Sequence, residues 1–240
     1  MRNIQPQNTD VVILCGGFGM RLQSLINDRP KPMVQINGRP FLDILIDYVA
    51  RYGFTRFILC TGYKRNMIRR YYEKNRGKLL FLFSEESEPL GTAGAIKHAE
   101  SCIKSDIFLV LNGDSLCEID LGDFLKFHIG KRASVSIALT TLKSPGDYGI
   151  IELDGDHKVI RFSEKVLINC NGLVNTGMYI FDRRILKEIP SDEKQSLEYD
   201  VFPKILNQGV YGYVTEKKLL DIGTPERLEV AKNYFDRINR

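Results

Sequence analysis

Gly16, Gly17 and Gly19 are followed closely by Arg21, and Lys31 stands a little further on between Pro30 and Pro32. Glycines without a Cβ let the backbone come close to a ligand and take positive φ. Successive N–H groups in such a loop can converge on phosphate oxygens. With two cations nearby, the pattern reads as a polyphosphate site. A tight strand-to-helix turn is the plainer reading of the loop alone. It is not the dinucleotide fingerprint, whose third glycine would fall at Leu22, nor a Walker loop, which needs Gly-Lys-Ser/Thr after its glycines.

Asp114 closes the apolar run Ile107-Phe108-Leu109-Val110-Leu111, and Asp221 closes Leu219-Leu220. Magnesium is commonly held by one or two carboxylates together with substrate phosphates. Singly, each aspartate reads as a turn residue; beside a phosphate loop, the pair is expected to hold Mg²⁺. Glu164-Lys165 offers a carboxylate for a sugar hydroxyl and an ammonium for its phosphate. Adjacent strand residues face opposite ways, so sharing one ligand requires a strand end or a bulge. An exposed ion pair is the alternative.

His98, His128 and His157 are isolated, and no Ser or Cys stands in a recognisable nucleophile context. A sugar phosphate is mostly a dianion at neutral pH, its second pKa lying near 6 as for protein phosphates. It can attack another phosphate without a general base. Such chemistry needs positioning and charge neutralisation, for which Arg, Lys and Mg²⁺ suffice.

The elements that must hold these residues are read from hydrophobic pattern. Val11-Val12-Ile13-Leu14 predicts a strand buried on both faces. Phe41 to Tyr52 has helical spacing with Gly53 as a stop signal. Phe57–Cys60, Leu79–Phe83 and Ile107–Leu111 are further strands. Glu88 to Ala95 opens a helix whose two glycines face a loop. Strands alternating with helices predict a mainly parallel α/β sheet, with ligands at the carboxyl ends of its strands. Lys64 to Lys78 is basic; a solvated helix with Tyr and Ile turned inward is preferred over an RNA- or lipid-binding one. Val135–Leu142, a hairpin of Gly149–Leu153 with Lys158–Phe162, and Asn175–Phe181 add a β-rich second half. Ser196 is a plausible N-cap for a helix through Tyr199, Val201 and Ile205 that must place Pro203 in its first turns. Tyr211–Val214 and Lys218–Leu220 follow, and a last helix runs from about Pro225 to Ile238.

The 240 residues are 43% hydrophobic and 27% charged, a globular balance that suits one domain over 1–240. A net charge of +4 is too mild to imply nucleic acid as a partner. Five scattered cysteines form no C-x-x-C pair and argue against a zinc site or a disulfide framework. The first ten residues lack a signal-peptide core, and no apolar run approaches membrane-spanning length. A reduced, cytoplasmic protein without membrane contact is expected.

Taken together, these motifs resemble the sugar-phosphate nucleotidyltransferases over nearly the whole chain. That family's Gly-Gly-x-Gly-Thr-Arg-Leu stands here as Gly16 to Leu22, its Pro-Lys-Pro-Met/Leu as Pro30 to Met33, and its Asn-x-Gly as Asn175 to Gly177. Its strand-ending aspartate, Glu-Lys pair and late aspartate stand at Asp114, Glu164-Lys165 and Asp221. The resemblance implies a Rossmann-like, mainly parallel mixed sheet flanked by helices, with a small β-rich sugar-binding portion. It implies that Gly16, Gly17 and Gly19 wrap NTP phosphates, that Arg21 stabilises leaving pyrophosphate and that Lys31 neutralises the α-phosphate. Asp114 and Asp221 would hold Mg²⁺, and backbone near Leu14 and Gly91 would read the base. Gly149, Glu164 and Asn175 would contact the sugar and Lys165 its phosphate. Met20 departs from the family's threonine and removes a hydroxyl from the loop.

The stretch Glu88-Pro89-Leu90-Gly91-Thr92-Ala93-Gly94-Ala95 is similar to the base-side loop of the guanylyltransferase branch, and differs from the Gly-Leu-Ala-Gln usual in uridylyl and thymidylyl enzymes. The chain ends without the hexapeptide β-helix of longer mannose 1-phosphate enzymes. GTP and a heptose 1-phosphate are the substrates this implies. Mannose 1-phosphate with GTP, an amino-sugar phosphate with UTP, and a non-catalytic nucleotide-sugar sensor are the rivals. A homo-oligomer is compatible with all of them.

Overall fold

The computed structural model describes residues 5–17, 19–22, 28–74, 77–143, 148–163 and 171–238. The elements are β1 (Asp10–Leu14), the two-residue strands β2 (Gln35–Ile36) and β3 (Arg39–Pro40), α1 (Phe41–Ala50), β4 (Arg56–Thr61), α2 (Arg65–Tyr72) and β5 (Leu80–Glu85). Then come α3 (Gly91–His98), β6 (Ile107–Asn112), β7 (Ser115–Cys117), α4 (Leu121–Lys131), β8 (Val135–Lys143), β9 (Ile150–Leu153) and β10 (Val159–Ser163). The chain closes with β11 (Asn171–Asp182), α5 (Phe202–Ile205), β12 (Val210–Thr215), β13 (Leu219–Asp221) and α6 (Pro225–Ile238).

One sheet runs in the order β10-β9-β11-β6-β1-β4-β5, with β8 paired to β11 and β12 paired to β8. Its β6-β1-β4-β5 half is parallel throughout. β11 then joins β6 antiparallel and begins the β-rich half. The chain winds from β1 outward to β4 and β5, then crosses back to place β6 on the other side of β1. That reversal opens a crevice at the carboxyl ends of β1 and β6, where doubly wound sheets bind ligands. The glycine loop follows β1, and Asp114 follows β6.

The double burial expected of β1 is plain in its packing. Val11 and Ile13 join the core beneath α1 and α6, while Val12 joins the core beneath α3 and α5. All three are fully buried, each contributing roughly 1.5–3 kcal/mol. The basic helix is short. It ends at Tyr72, buries Ile68 and Tyr72, and pairs Arg69 with exposed Glu73 and half-buried Glu85.

The helix expected from Ser196 onward differs in kind. Ser196 does cap it, its hydroxyl accepting from the amides of Glu198 and Tyr199 at 3.2 and 3.3 Å. Leu197–Val201 is a π turn, and only then does the single α turn Phe202–Ile205 follow. Pro203 has no N–H to return to Tyr199, and its ring opposes the carbonyl four residues back. A wider turn relieves both conflicts, with the Val201 amide donating to Ser196 O at 3.2 Å.

Candidate active site

Two cavities meet at the sheet's carboxyl edge. The smaller, about 260 Å³, is walled by Leu14, Gly16, Gly17, Glu86, Gly91 and Thr92. The larger, about 470 Å³, is walled among others by Tyr148, Gly149, Asn175, Glu198, Asp221 and Arg227. Lys31, Asn112 and Asp114 line both. The seam between the cavities is therefore built from the segment that ends β6 and from the Pro-Lys-Pro turn.

That turn is a single 3₁₀ turn, Lys31–Met33, entered through an extended Pro30. Pro32 and Met33 are buried, so the lysine is anchored at its root while its ammonium reaches Asp114. The two predicted metal aspartates come together through strand pairing. Asp221 of β13 registers with Ser115 of β7, the neighbour of Asp114, and the Ile222 amide donates to Asp114 O at 3.0 Å. Asp221 accepts from the Gly223 amide at 2.8 Å, from Arg227 at 3.4 Å and from the Tyr148 hydroxyl. The Arg227 guanidinium lies 4.4 Å over the Tyr148 ring. Two carboxylates at one cavity wall give an all-oxygen donor set that suits Mg²⁺, leaving further positions for phosphate oxygens and water.

The smaller cavity is shaped by Glu86. This carboxylate is buried, with one oxygen wedged where a Cβ on Gly16 would stand 2.0 Å away and a Cβ on Gly62 2.6 Å away. Its other oxygen accepts from the Leu90 amide at 3.1 Å. Burial raises the Glu86 pKa, partly offset by the Leu90 amide and by His98. Cys15 also lines this cavity. Burial, then Cys60 and Asp114, push its thiol up, so it stays protonated and supplies no nucleophile.

Gly91 opens α3 with φ of +73°, and a Cβ there would meet Gln195 O at 2.5 Å. Gly94 faces the same loop, its absent Cβ 2.5 Å from Glu193 O. The two glycines thus let α3 press against residues 193–195, whose carbonyl at Gln195 accepts from the Ala93 and Gly94 amides at 2.9 and 3.2 Å.

Asn175 stands at a break in the β8–β11 register, which resumes at Tyr179. Its carbonyl accepts from the Gly177 amide at 2.9 Å and its NH₂ donates to the Tyr179 hydroxyl at 2.6 Å.

Of the residues expected from sequence, Leu14, Gly16, Gly17 and Gly91 line the smaller cavity, and Gly149, Asn175 and Asp221 the larger. Arg21 lines the larger cavity. Gly19 is on neither wall; it turns the loop with φ of +62° and accepts from the Leu22 amide at 2.9 Å. Glu164, Lys165 and the Met20 side chain lie outside the described residues. Glu86, Tyr148, Glu198 and Arg227 were not singled out in the sequence. Glu86 ends an ordinary acidic pair at the end of β5, and nothing local marks it as buried.

Residues 10–237 match the family described as Nucleotidyl transferase. The chain belongs to that family. It is 36% identical over 224 residues to the D-glycero-alpha-D-manno-heptose 1-phosphate guanylyltransferase of Aneurinibacillus thermoaerophilus, covering 93% of this chain and 96% of that one. It is 37% identical over 223 residues to the Mannose-1-phosphate guanylyltransferase of Mycobacterium tuberculosis, covering 90% of this nucleotidyltransferase and 62% of that chain. The crystal structure of HddC from Yersinia pseudotuberculosis superposes with a TM-score of 0.84 at 37% identity, over 95% of this chain and 99% of that one. HddC has also been crystallised with GMP-PN, a form that superposes with a TM-score of 0.83.

Proposed function

We propose that this nucleotidyltransferase, acting as one domain over residues 1–240, joins GTP and a sugar 1-phosphate into a GDP-sugar with release of pyrophosphate. The sugar is D-glycero-alpha-D-manno-heptose 1-phosphate, and the setting is cytoplasmic. The observation that carries this reading is the meeting of two cavities at Lys31 and Asp114. A nucleoside in the smaller and a sugar in the larger bring their phosphates to that seam.

Glu86 supports guanine as the base. Guanine's Watson–Crick edge presents two adjacent donors, N1–H and the N2 amino group, and an ionised carboxylate is an acceptor only. Adenine and cytosine place an acceptor beside a donor there, and uracil offers one donor between two acceptors.

In the reaction, a nonbridging oxygen of the sugar phosphate attacks the α-phosphorus of GTP. A new P–O bond forms, the bond from the α-phosphorus to the β-phosphate's bridging oxygen breaks, and pyrophosphate leaves with that electron pair. The dianionic nucleophile needs no general base. Lys31 neutralises charge at the seam, and Arg21, facing the larger cavity, adds a second cation. Gly16 and Gly17 bring backbone amides to the NTP phosphates. Gly149 and Asn175 orient the sugar hydroxyls; Glu164 is expected to contact the sugar and Lys165 its phosphate. Asp114 and Asp221 would hold Mg²⁺, which supplies Lewis-acid stabilisation of the phosphate charge when bound.

The test is pyrophosphate release with Mg²⁺, crossing GTP, UTP, CTP, dTTP and ATP with heptose, mannose and glucose 1-phosphates. Release with GTP and the heptose is expected. Release with GTP and mannose 1-phosphate instead would favour the second reading, which the similarity to the Mycobacterium tuberculosis enzyme keeps open. Nucleotide binding without turnover on any pair would favour a sensor.

A further inference from the structure

Asn175 and Thr92 lie on opposite sides of the seam, one on the wall of the larger cavity and one on that of the smaller. They are joined through one carboxylate. The Asn175 NH₂ donates to the Tyr179 hydroxyl at 2.6 Å, and that hydroxyl donates to Glu198 Oε1 at 3.2 Å. On the other branch, the Leu197 amide donates to Thr92 Oγ1 at 2.8 Å, and Thr92 donates to Glu198 Oε2 at 3.3 Å. Ser196 Oγ donates to the same oxygen at 2.9 Å.

The directions are fixed by the carboxylate. Glu198 can only accept, so Tyr179 must give it a proton and accept from Asn175, which sets which end of the Asn175 amide faces the ring. Tyr179 is fully buried, and burial together with the neighbouring Glu198 carboxylate keeps its phenol protonated. Thr92 is the second residue of α3, next to Gly91, and Glu198 sits in the π turn. Such turns interrupt helices often at functional sites. The backbone bonds from Ala93 and Gly94 to Gln195 tie α3 and the π turn into one unit.

We propose that Glu198 is a positioning residue that couples the two cavities, its Oε2 reporting the seating of a nucleotide against Gly91 and Thr92 and its Oε1 setting Asn175 for the sugar. A nucleotide that orders the start of α3 orders Thr92, then Glu198, then Tyr179 and Asn175. The sugar 1-phosphate consequently binds more tightly to the nucleotide-loaded protein, and by linkage the nucleotide gains the same factor from the sugar phosphate. This rests on the assignment of nucleotide and sugar to the two cavities.

Calorimetric titration of the full chain in Mg²⁺ buffer tests it. Heptose 1-phosphate is titrated with and without a saturating non-hydrolysable GTP analogue. In the wild type the analogue is expected to tighten sugar-phosphate binding about tenfold, within the range usual for coupled sites. In Glu198→Gln one branch must reverse, because the amide brings a donor where two hydroxyls donate, and the ratio is expected to fall to within about twofold of unity. Thr92→Val cuts the nucleotide branch alone. It is expected to collapse the ratio, and it decides the matter if Glu198→Gln does not fold. An unchanged ratio in both variants would overturn the proposal. So would an equal loss of sugar affinity with and without the analogue, the mark of a direct sugar ligand. A wild-type ratio of one with both ligands binding overturns the coupling alone, whereas no binding of either ligand overturns the functional assignment as well.

Discussion

Replacing Glu86 with glutamine alters one atom of the smaller cavity and separates base recognition from everything else the site does. The amide oxygen can keep the bond to the Leu90 amide, 3.1 Å in the wild type. The NH₂ group then faces guanine's donor edge, so one charged hydrogen bond is lost and a donor opposes a donor. A hydrogen bond to a charged group contributes roughly 1.5–3 kcal/mol, so kcat/KM for GTP is expected to fall roughly 10- to 150-fold. The ATP rate should fall far less, because glutamine can match adenine's donor–acceptor pair. Stability should move the other way. Burial raises the Glu86 pKa, so its ionised form is disfavoured in the fold. A group of this kind contributes stability below its unfolded pKa, and that contribution is lost as pH rises through the raised folded value. At pH 7 to 8 the neutral glutamine removes that cost, and thermal unfolding should occur at the same or a higher temperature. The assays are pyrophosphate release across the nucleotide panel and thermal unfolding by circular dichroism. An unchanged preference for GTP over ATP in a folded Glu86→Gln protein would refute the reasoning.

Gly91→Ala combines a φ of +73° with a backbone oxygen 2.5 Å from the new Cβ. Left-handed backbone costs about 1–2 kcal/mol and overpacking about 1–3; a fall in Tm of roughly 5–15 °C is expected, and a fall under 1 °C would contradict the packing described. Asp221→Asn removes one of two neighbouring carboxylates and should weaken Mn²⁺ binding at least about tenfold, read by electron paramagnetic resonance of the free metal with a GTP analogue present; an unchanged binding curve would remove Asp221 from the metal site. His128 is buried against Ser136, its Nδ1 2.9 Å from the hydroxyl, and burial pushes its pKa down to about 4. The unfolded chain therefore binds the extra proton first, so this contribution to stability is complete above the ordinary histidine pKa and is lost as pH falls from about 6.5 toward 4. Denaturant titrations should show a loss of up to about 3 kcal/mol across that window, absent in a folded His128→Gln protein.

Much of the fold was legible because burial on both faces leaves a local mark. Val11 to Leu14, Phe57 to Cys60 and Ile107 to Leu111 are continuous apolar runs, and only the middle of a covered sheet accepts them. The bulged β11 and the π turn at Leu197–Val201 were less legible. The first depends on which neighbours pair with each half of the strand, and the second on how a helix accommodates Pro203. Ser196 was visible as a cap because its hydroxyl acts on amides only two and three residues away.

The chain's own order of residues determined the glycine loop, the proline-flanked Lys31 and the aspartates that end apolar strands, because each is a local conjunction of backbone geometry and charge. Which of these residues share a ligand was decided by tertiary structure. Asp114 and Asp221 are more than a hundred positions apart, and only the pairing of β7 with β13 makes them neighbours. Glu86 is an ordinary glutamate until Gly16 and Gly62 close around it. Glu198 becomes a bridge only when α3 packs against the π turn. Side-chain type is written locally, but burial, proximity and the direction of a hydrogen bond belong to the packed chain.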